Sequence, residues 1–209
     1  MNRLLLVILI LLSIYQTYAQ IPVFNSNVND DFKAKSLLFK KLKHKYDFLI
    51  AYHVEGITRM KNAKIQIIAV KNKKWRKLTF IYEGKSCLKR RLTSKKIDKS
   101  IGNELIANLG KENFWTLEND SINYREIKSK PPVTRKPIND TVFVIGYKPE
   151  RTLVAIDGGS YYLQMMQGDN LRVYKSNNPD FYFKYYPQFL HIGNFIRSRD
   201  AFIDAFGTF

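Results

Sequence analysis

The chain has 209 residues, 45% of them apolar, and carries 35 lysines and arginines against 18 acids, for a net charge of +17. The apolar share, with fourteen phenylalanines, argues against a disordered chain. The single cysteine, Cys87, excludes an intramolecular disulfide, so the fold must stand on packing alone.

The first residues, MNRLLLVILILLSIYQTYAQ, read as an address. Arg3 gives a positive start, Leu4 to Ile14 form an apolar run broken only by Ser13, and Thr17-Tyr18-Ala19 ends in small residues. This is the layout of a secretory signal peptide, residues 1–19, cleaved after Ala19. A membrane span needs about 20 apolar residues, and this run is shorter. The reading predicts an exported protein, periplasmic or extracellular. A domain without disulfides suits a bacterial envelope better than animal secretion.

Behind the leader, Asn29 and Asp30 are candidate N-caps for a helix running to Tyr46, with Phe32, Leu38, Phe39 and Leu42 on one stripe and six lysines between Lys33 and Lys45. Three strand-like runs follow, Tyr46 to Val54, Lys64 to Val70 and Arg76 to Glu83, joined closely enough to be antiparallel neighbours. Lys71 to Lys74 is then a hairpin tip made largely of lysine. Thr93 or Ser94 is the expected cap of a second helix, with Ile97, Ile101, Leu105 and Leu109 at fours and Gly110 as its stop.

Lys128 to Asp140 is rich in proline. It serves either as an ordinary surface loop in a single domain, 20–209, or as a joint between sub-halves 21–127 and 141–209. Beyond it TVFVIGY, RTLVAID, SYYLQMM and LRVYK are four short strands with turn chemistry between them, an antiparallel meander. Asn178-Pro179 then opens a short helix interrupted by Pro187. A longer aromatic helix follows and ends at Gly207. The fold class expected is α+β: antiparallel meanders with flanking helices and a C-terminal aromatic helix.

Charge is the one functional signal. Ile21 to Leu109 holds 21 basic residues against 7 acids, whereas Gly110 to Phe209 holds 13 against 11. Lys71, Lys73, Lys74, Trp75, Arg76 and Lys77, with Lys89, Arg90 and Arg91, interleave cations with an aromatic. That pattern suits a polyanion whose counterions are released on binding. The partners implied are an anionic envelope polymer or lipid head groups; the competing account is a solvated lysine surface. Six rings between Asn177 and Phe189 raise a second candidate, an exposed aromatic patch through Tyr182 and Tyr186 for a protein partner, set against plain core packing.

No catalytic set stands out. Asp157, Asp169 and Asp180 fall where turns and caps select aspartate anyway; a secreted hydrolase would need two of them to meet. His44, His53 and His191 have no metal-ligand spacing, and Cys87 has no histidine placed beside it, so neither metal nor cofactor is expected. Asn119-Asp120-Ser121 and Asn139-Asp140-Thr141 match the glycan acceptor pattern.

The run DGGSYYLQ, then LRVYKSNNPDFY, then a terminal aromatic helix resembles small exported domains of bacterial envelopes, over about Thr141 to Gly207. The resemblance implies location and architecture and carries no site residues, since such domains have no assigned activity. The expected function is that of an exported, non-enzymatic binding or structural protein.

Overall fold

The computed structural model describes residues 20–55, 62–83, 89–123 and 158–207, without the side chains of residues 62, 63, 82, 83 and 89–91. The predicted signal peptide, Cys87, the Pro-rich stretch, Asn139, Asp157 and the predicted strands TVFVIGY and RTLVAID lie outside the described residues.

The described elements run in chain order α1 (Asp30–Lys35), α2 (Leu37–Leu42), β1 (Phe48–Glu55), β2 (Asn62–Lys71), β3 (Lys74–Glu83), β4 (Lys89–Lys96), α3 (Lys99–Lys111), α4 (Asn119–Ile122), β5 (Ser160–Gln167), β6 (Asn170–Asn177), α5 (Pro179–Tyr185) and α6 (Leu190–Phe206). A 3-10 turn, Phe114–Thr116, lies between α3 and α4. The six described strands join one antiparallel sheet in the order β4-β3-β2-β1-β5-β6. The chain is thus α+β, with β5 and β6 paired onto the meander of the first half through β1.

Both faces of the sheet are dry at its centre. The first five residues of β1 are all buried, and alternation sends Phe48, Ile50 and Tyr52 to one face and Leu49 and Ala51 to the other. On the first face they pack with Leu105 and Leu109 of α3 and Phe195, Phe202 and Phe206 of α6. On the second they meet Leu38, Phe39 and Leu42 of α2. Fully burying a Phe, Leu or Ile side chain contributes roughly 1.5–3 kcal/mol, so Phe48, Leu49 and Ile50 anchor β1 to both layers.

Three local expectations change. The N-terminal helix is two helices, because Ser36 leaves helical geometry at ψ 110° and its hydroxyl accepts from the Phe39 N–H to start α2; Phe32 is consequently 43% exposed rather than part of a stripe. Thr93 and Ser94 lie in β4, a strand that the reading missed, and Asp98 caps α3 instead by accepting from the Ser100 N–H at 2.8 Å. Gly110 does not stop α3, which runs on to Lys111 and is followed by a left-handed Asn113. Pro179 does open α5 and Gly207, at φ 81°, closes α6.

The two outer edges of the sheet differ. Along β6, side-chain amides take the place of a neighbouring strand. Asn27 accepts from the Val173 N–H and donates to the Val173 carbonyl. Asn119 accepts from the Lys175 N–H and donates to Val173. Asn123 accepts from the Asn177 N–H and donates to the Lys175 carbonyl. Ser26 accepts from the Leu171 N–H. At the opposite edge β4 presents Lys95 and Lys96, both exposed.

Candidate anion-binding surface

The β2–β3 tip is built by backbone geometry. Asn72 and Lys73 are both left-handed, at φ 50° and 62°, as a two-residue turn matching the strand twist requires. The Asp47 carboxylate accepts from the Asn72 N–H at 2.6 Å, and the Asp47 N–H donates to the Val70 carbonyl at 2.9 Å. This ties the tip to the start of β1. Lys71, Lys73, Lys74 and Arg76 are exposed.

Pairing then stacks cation against cation. Lys71 lies opposite Lys74, Arg76 opposite Lys96, and Lys77 opposite Lys95. Among the described residues Lys71, Lys73, Lys74, Lys95 and Lys96 form no salt bridge with a carboxylate. Lys77 is half-buried. It donates to the Phe206 carbonyl, where the C-terminal end of α6 favours a cation, and burial, with Lys95 nearby, pulls its pKa down.

The structure divides the predicted cluster. Trp75 is 5% exposed and packs in the core against α3, so it is no stacking platform. Strand alternation explains why: Trp75 shares a face with buried Val70, its partner on β2, whereas Lys74 and Arg76 point the other way. Lys89, Arg90 and Arg91 pair with Glu83, Tyr82 and Ile81 at the far end of the β3–β4 hairpin. They lie five to seven residues along the strand from Arg76, about 17–23 Å away. In their place the fold brings Lys95, Lys96 and the lysines at the end of α2. Lys45 is two residues from Asp47, and Asp47 touches the tip. Lys43 donates to Asp169 at 3.1 Å across to the β5–β6 turn.

The aromatic patch is not assembled as predicted. Tyr182 is buried against Ile192 of α6, and Tyr186 is half-buried and stacked on Phe189 at 5.7 Å. Tyr185 is the more exposed ring of this helix, at 49%. Asp180 is spent on Arg199, which donates to both its oxygens at 2.5 and 2.8 Å and also to Asp200. Burial alone would lower the Arg199 pKa, but these carboxylates outweigh it and keep the guanidinium charged. The same hydrogen bonds hold Asp180 below the usual carboxylate range. Asp169 and Asp180 sit at opposite ends of β6, so they form no catalytic pair. No group of three His, Cys, Asp or Glu among the described residues could hold a metal.

One polar cluster escaped the sequence reading because its members are distant in the chain. His53 of β1 lies opposite Tyr162 of β5, their rings stacked 4.5 Å apart and 6° from parallel. The Tyr162 hydroxyl donates to Glu55 at 2.7 Å, and the Lys175 ammonium lies 5.2 Å from the Tyr162 ring centre. His53 Nδ1 and Gln164 Oε1 are buried with no hydrogen-bond partner among the described residues.

Burial lowers the His53 pKa from the ordinary 6.5, with Glu55 opposing the shift. The folded state then holds this proton more weakly than the unfolded chain. Stability contributed by neutral His53 is full above about 6.5 and is lost as pH falls below it. Thermal melts between about pH 7.5 and about pH 5 should show a falling Tm, and His53→Asn should flatten that slope. Identical slopes in the two proteins would refute the assignment.

A scan against protein-family models finds no match for this chain, and a search of curated proteins finds none either.

Proposed function

We propose that this is an exported, non-enzymatic binding protein of the bacterial envelope that engages an anionic partner through the lysine-rich end of its sheet. Export rests on the form of the first twenty residues. Anion binding rests on one observation above all: two like-charge pairs, Lys71–Lys74 and Arg76–Lys96, stand directly opposite one another on neighbouring strands, on one face and at a single end of the sheet.

Such pairs cost stability, by a few tenths to about 1 kcal/mol each. Lys73 adds to this, holding a left-handed position where glycine would be unstrained. Lysines on an outer strand can be explained as guards against edge-to-edge aggregation. That account covers Lys95 and Lys96 of β4 but not Lys71, Lys73, Lys74 or Arg76, which belong to the interior strands β2 and β3 and their turn. The interior-strand cations, which oppose folding and guard no edge, are best explained by what they bind.

The test is binding of the mature chain to anionic polymers across a salt series, beside a variant carrying Lys73→Glu, Lys74→Glu and Lys96→Glu. Lys77 is left intact because it holds the end of α6. The wild type should bind at low salt and lose affinity steeply as salt rises. The variant should lose binding by at least about tenfold while melting at the same temperature or slightly higher, because the like-charge pairs Lys71–Lys74 and Arg76–Lys96 are gone. Equal binding by both proteins would reject the surface.

A further inference from the structure

Resting on that reading, we infer that the partner is a linear polyanion with closely spaced repeating charges, gripped along a row of cations, rather than a single head group or a bilayer surface. The row follows the strand ends. It starts at Lys96 on β4, passes Arg76 and Lys74 on β3 and Lys71 on β2, and reaches Lys45 where the chain enters β1. All five are exposed. Neighbouring strands are about 4.8 Å apart, so the three intervals from β4 to β1 extend the row over about 14 Å. One phosphate spans only part of that length, whereas a chain with an anionic group every few ångströms meets several cations at once. Two carboxylates lie beside the row, Asp47 on the Asn72 N–H and Asp98 on the Ser100 N–H and hydroxyl, and both stay charged, Asp98 with Lys96 near it; the five cations outnumber them.

Two further observations narrow the chemistry. A surface that inserts into a bilayer sets apolar or aromatic side chains among its cations. Here the one aromatic in the tip sequence, Trp75, is in the core, and none of the seven exposed large apolar side chains among the described residues is a member of the row. The burial of Trp75 also removes base stacking, on which single-stranded nucleic-acid grooves rely. Recognition is then by charge and spacing, and what matters in the ligand is a repeating phosphate or carboxylate, whatever the polymer that carries it.

The experiment uses the mature chain with orthophosphate, tripolyphosphate and inorganic polyphosphates of about 15 and about 50 units, at one low salt concentration and then across a salt series. A parallel arm uses polyglutamate of matched length, and another uses vesicles of neutral lipid with and without an anionic lipid. Orthophosphate should not bind measurably. Affinity should rise at least about tenfold from tripolyphosphate to the 15-mer and then level off once the row is filled. Five neutralised charges predict a log–log salt slope of about −3.5, and Lys45→Glu should reduce its magnitude by about one unit. Comparable binding of polyglutamate would show that spacing, not phosphate, is read; its failure would restrict the class to polyphosphates and phosphodiesters. Length-independent affinity, a Lys45→Glu variant identical to wild type, or binding to anionic vesicles without binding to the polymers would each overturn the inference while leaving the anion-binding reading in place. Absence of binding to every anion at low salt would overturn both.

Discussion

Trp75→Ala is expected to destabilise the protein by about 3–5 kcal/mol, a large share of the roughly 5–15 kcal/mol that holds a typical domain together. The indole is 5% exposed and lies against α3 where Gly102 leaves room for it. A Cβ on Gly102 would sit 2.3 Å from the ring. The complementary change, Gly102→Ala, therefore tests the same contact from the other side. Alanine favours a helix by about 1 kcal/mol over glycine, so a purely local argument predicts stabilisation. The overlap with Trp75 should outweigh it, since overpacking a core typically costs about 1–3 kcal/mol. Urea denaturation of both variants decides the matter. A Trp75→Ala protein that keeps its midpoint but loses polyanion binding would return the indole to the binding surface and contradict this account.

Asn123→Ala should cost about 2–4 kcal/mol, for a different reason. The side chain is 6% exposed and carries three hydrogen bonds: its oxygen accepts from the Asn177 N–H, and its nitrogen donates to the Lys175 and Asn119 carbonyls. Removing it strips the β6 edge of partners, and each buried polar group left unmet costs about 1–3 kcal/mol. Asn123→Asp is the sharper variant. It keeps the acceptor but sets a second oxygen against the two carbonyls, so it should be at least as damaging as alanine although its shape is nearly unchanged. Chemical denaturation measures both. An aspartate variant as stable as wild type would mean that packing, not the amide ladder, seals the edge. Removing Asn27, Asn119 and Asn123 together should expose a strand edge able to pair with other chains, read out as concentration-dependent aggregation.

The elements that were legible share one property, that their signal is local. Strands β1 to β3 stand out as β-branched and aromatic runs, Pro179 marks the start of α5, and Gly207 marks the end of α6, because backbone preference and short-range alternation act within a few residues. Strand β4 was missed for the same reason. Lys89 to Lys96 holds one large apolar residue, Leu92, and an edge strand rich in lysine has no period to betray it. The helix expected from Asn29 to Tyr46 carried a good stripe, yet Ser36 offered a competing hydroxyl cap and divided it.

The candidate site was half legible. Charge is additive along a chain, so the excess of lysine in the first half is a property of the sequence alone, as are the apolar run at its start and the lone cysteine. Position in space is not additive. Whether Trp75 faces solvent depends on which face of the sheet α3 covers. Whether Lys45 or Arg90 joins the tip depends on strand register, where a shift of one residue reverses every side chain. Pairing of β2 with β3 and of β3 with β4 set that register. It put the indole in the core, moved Lys89 to Arg91 to the far end of the hairpin, and gathered Lys45, Lys71, Lys74, Arg76 and Lys96 into one row. The His53, Tyr162 and Lys175 cluster was out of reach for the same physical reason, since its members meet only across strands that the chain separates by about a hundred residues.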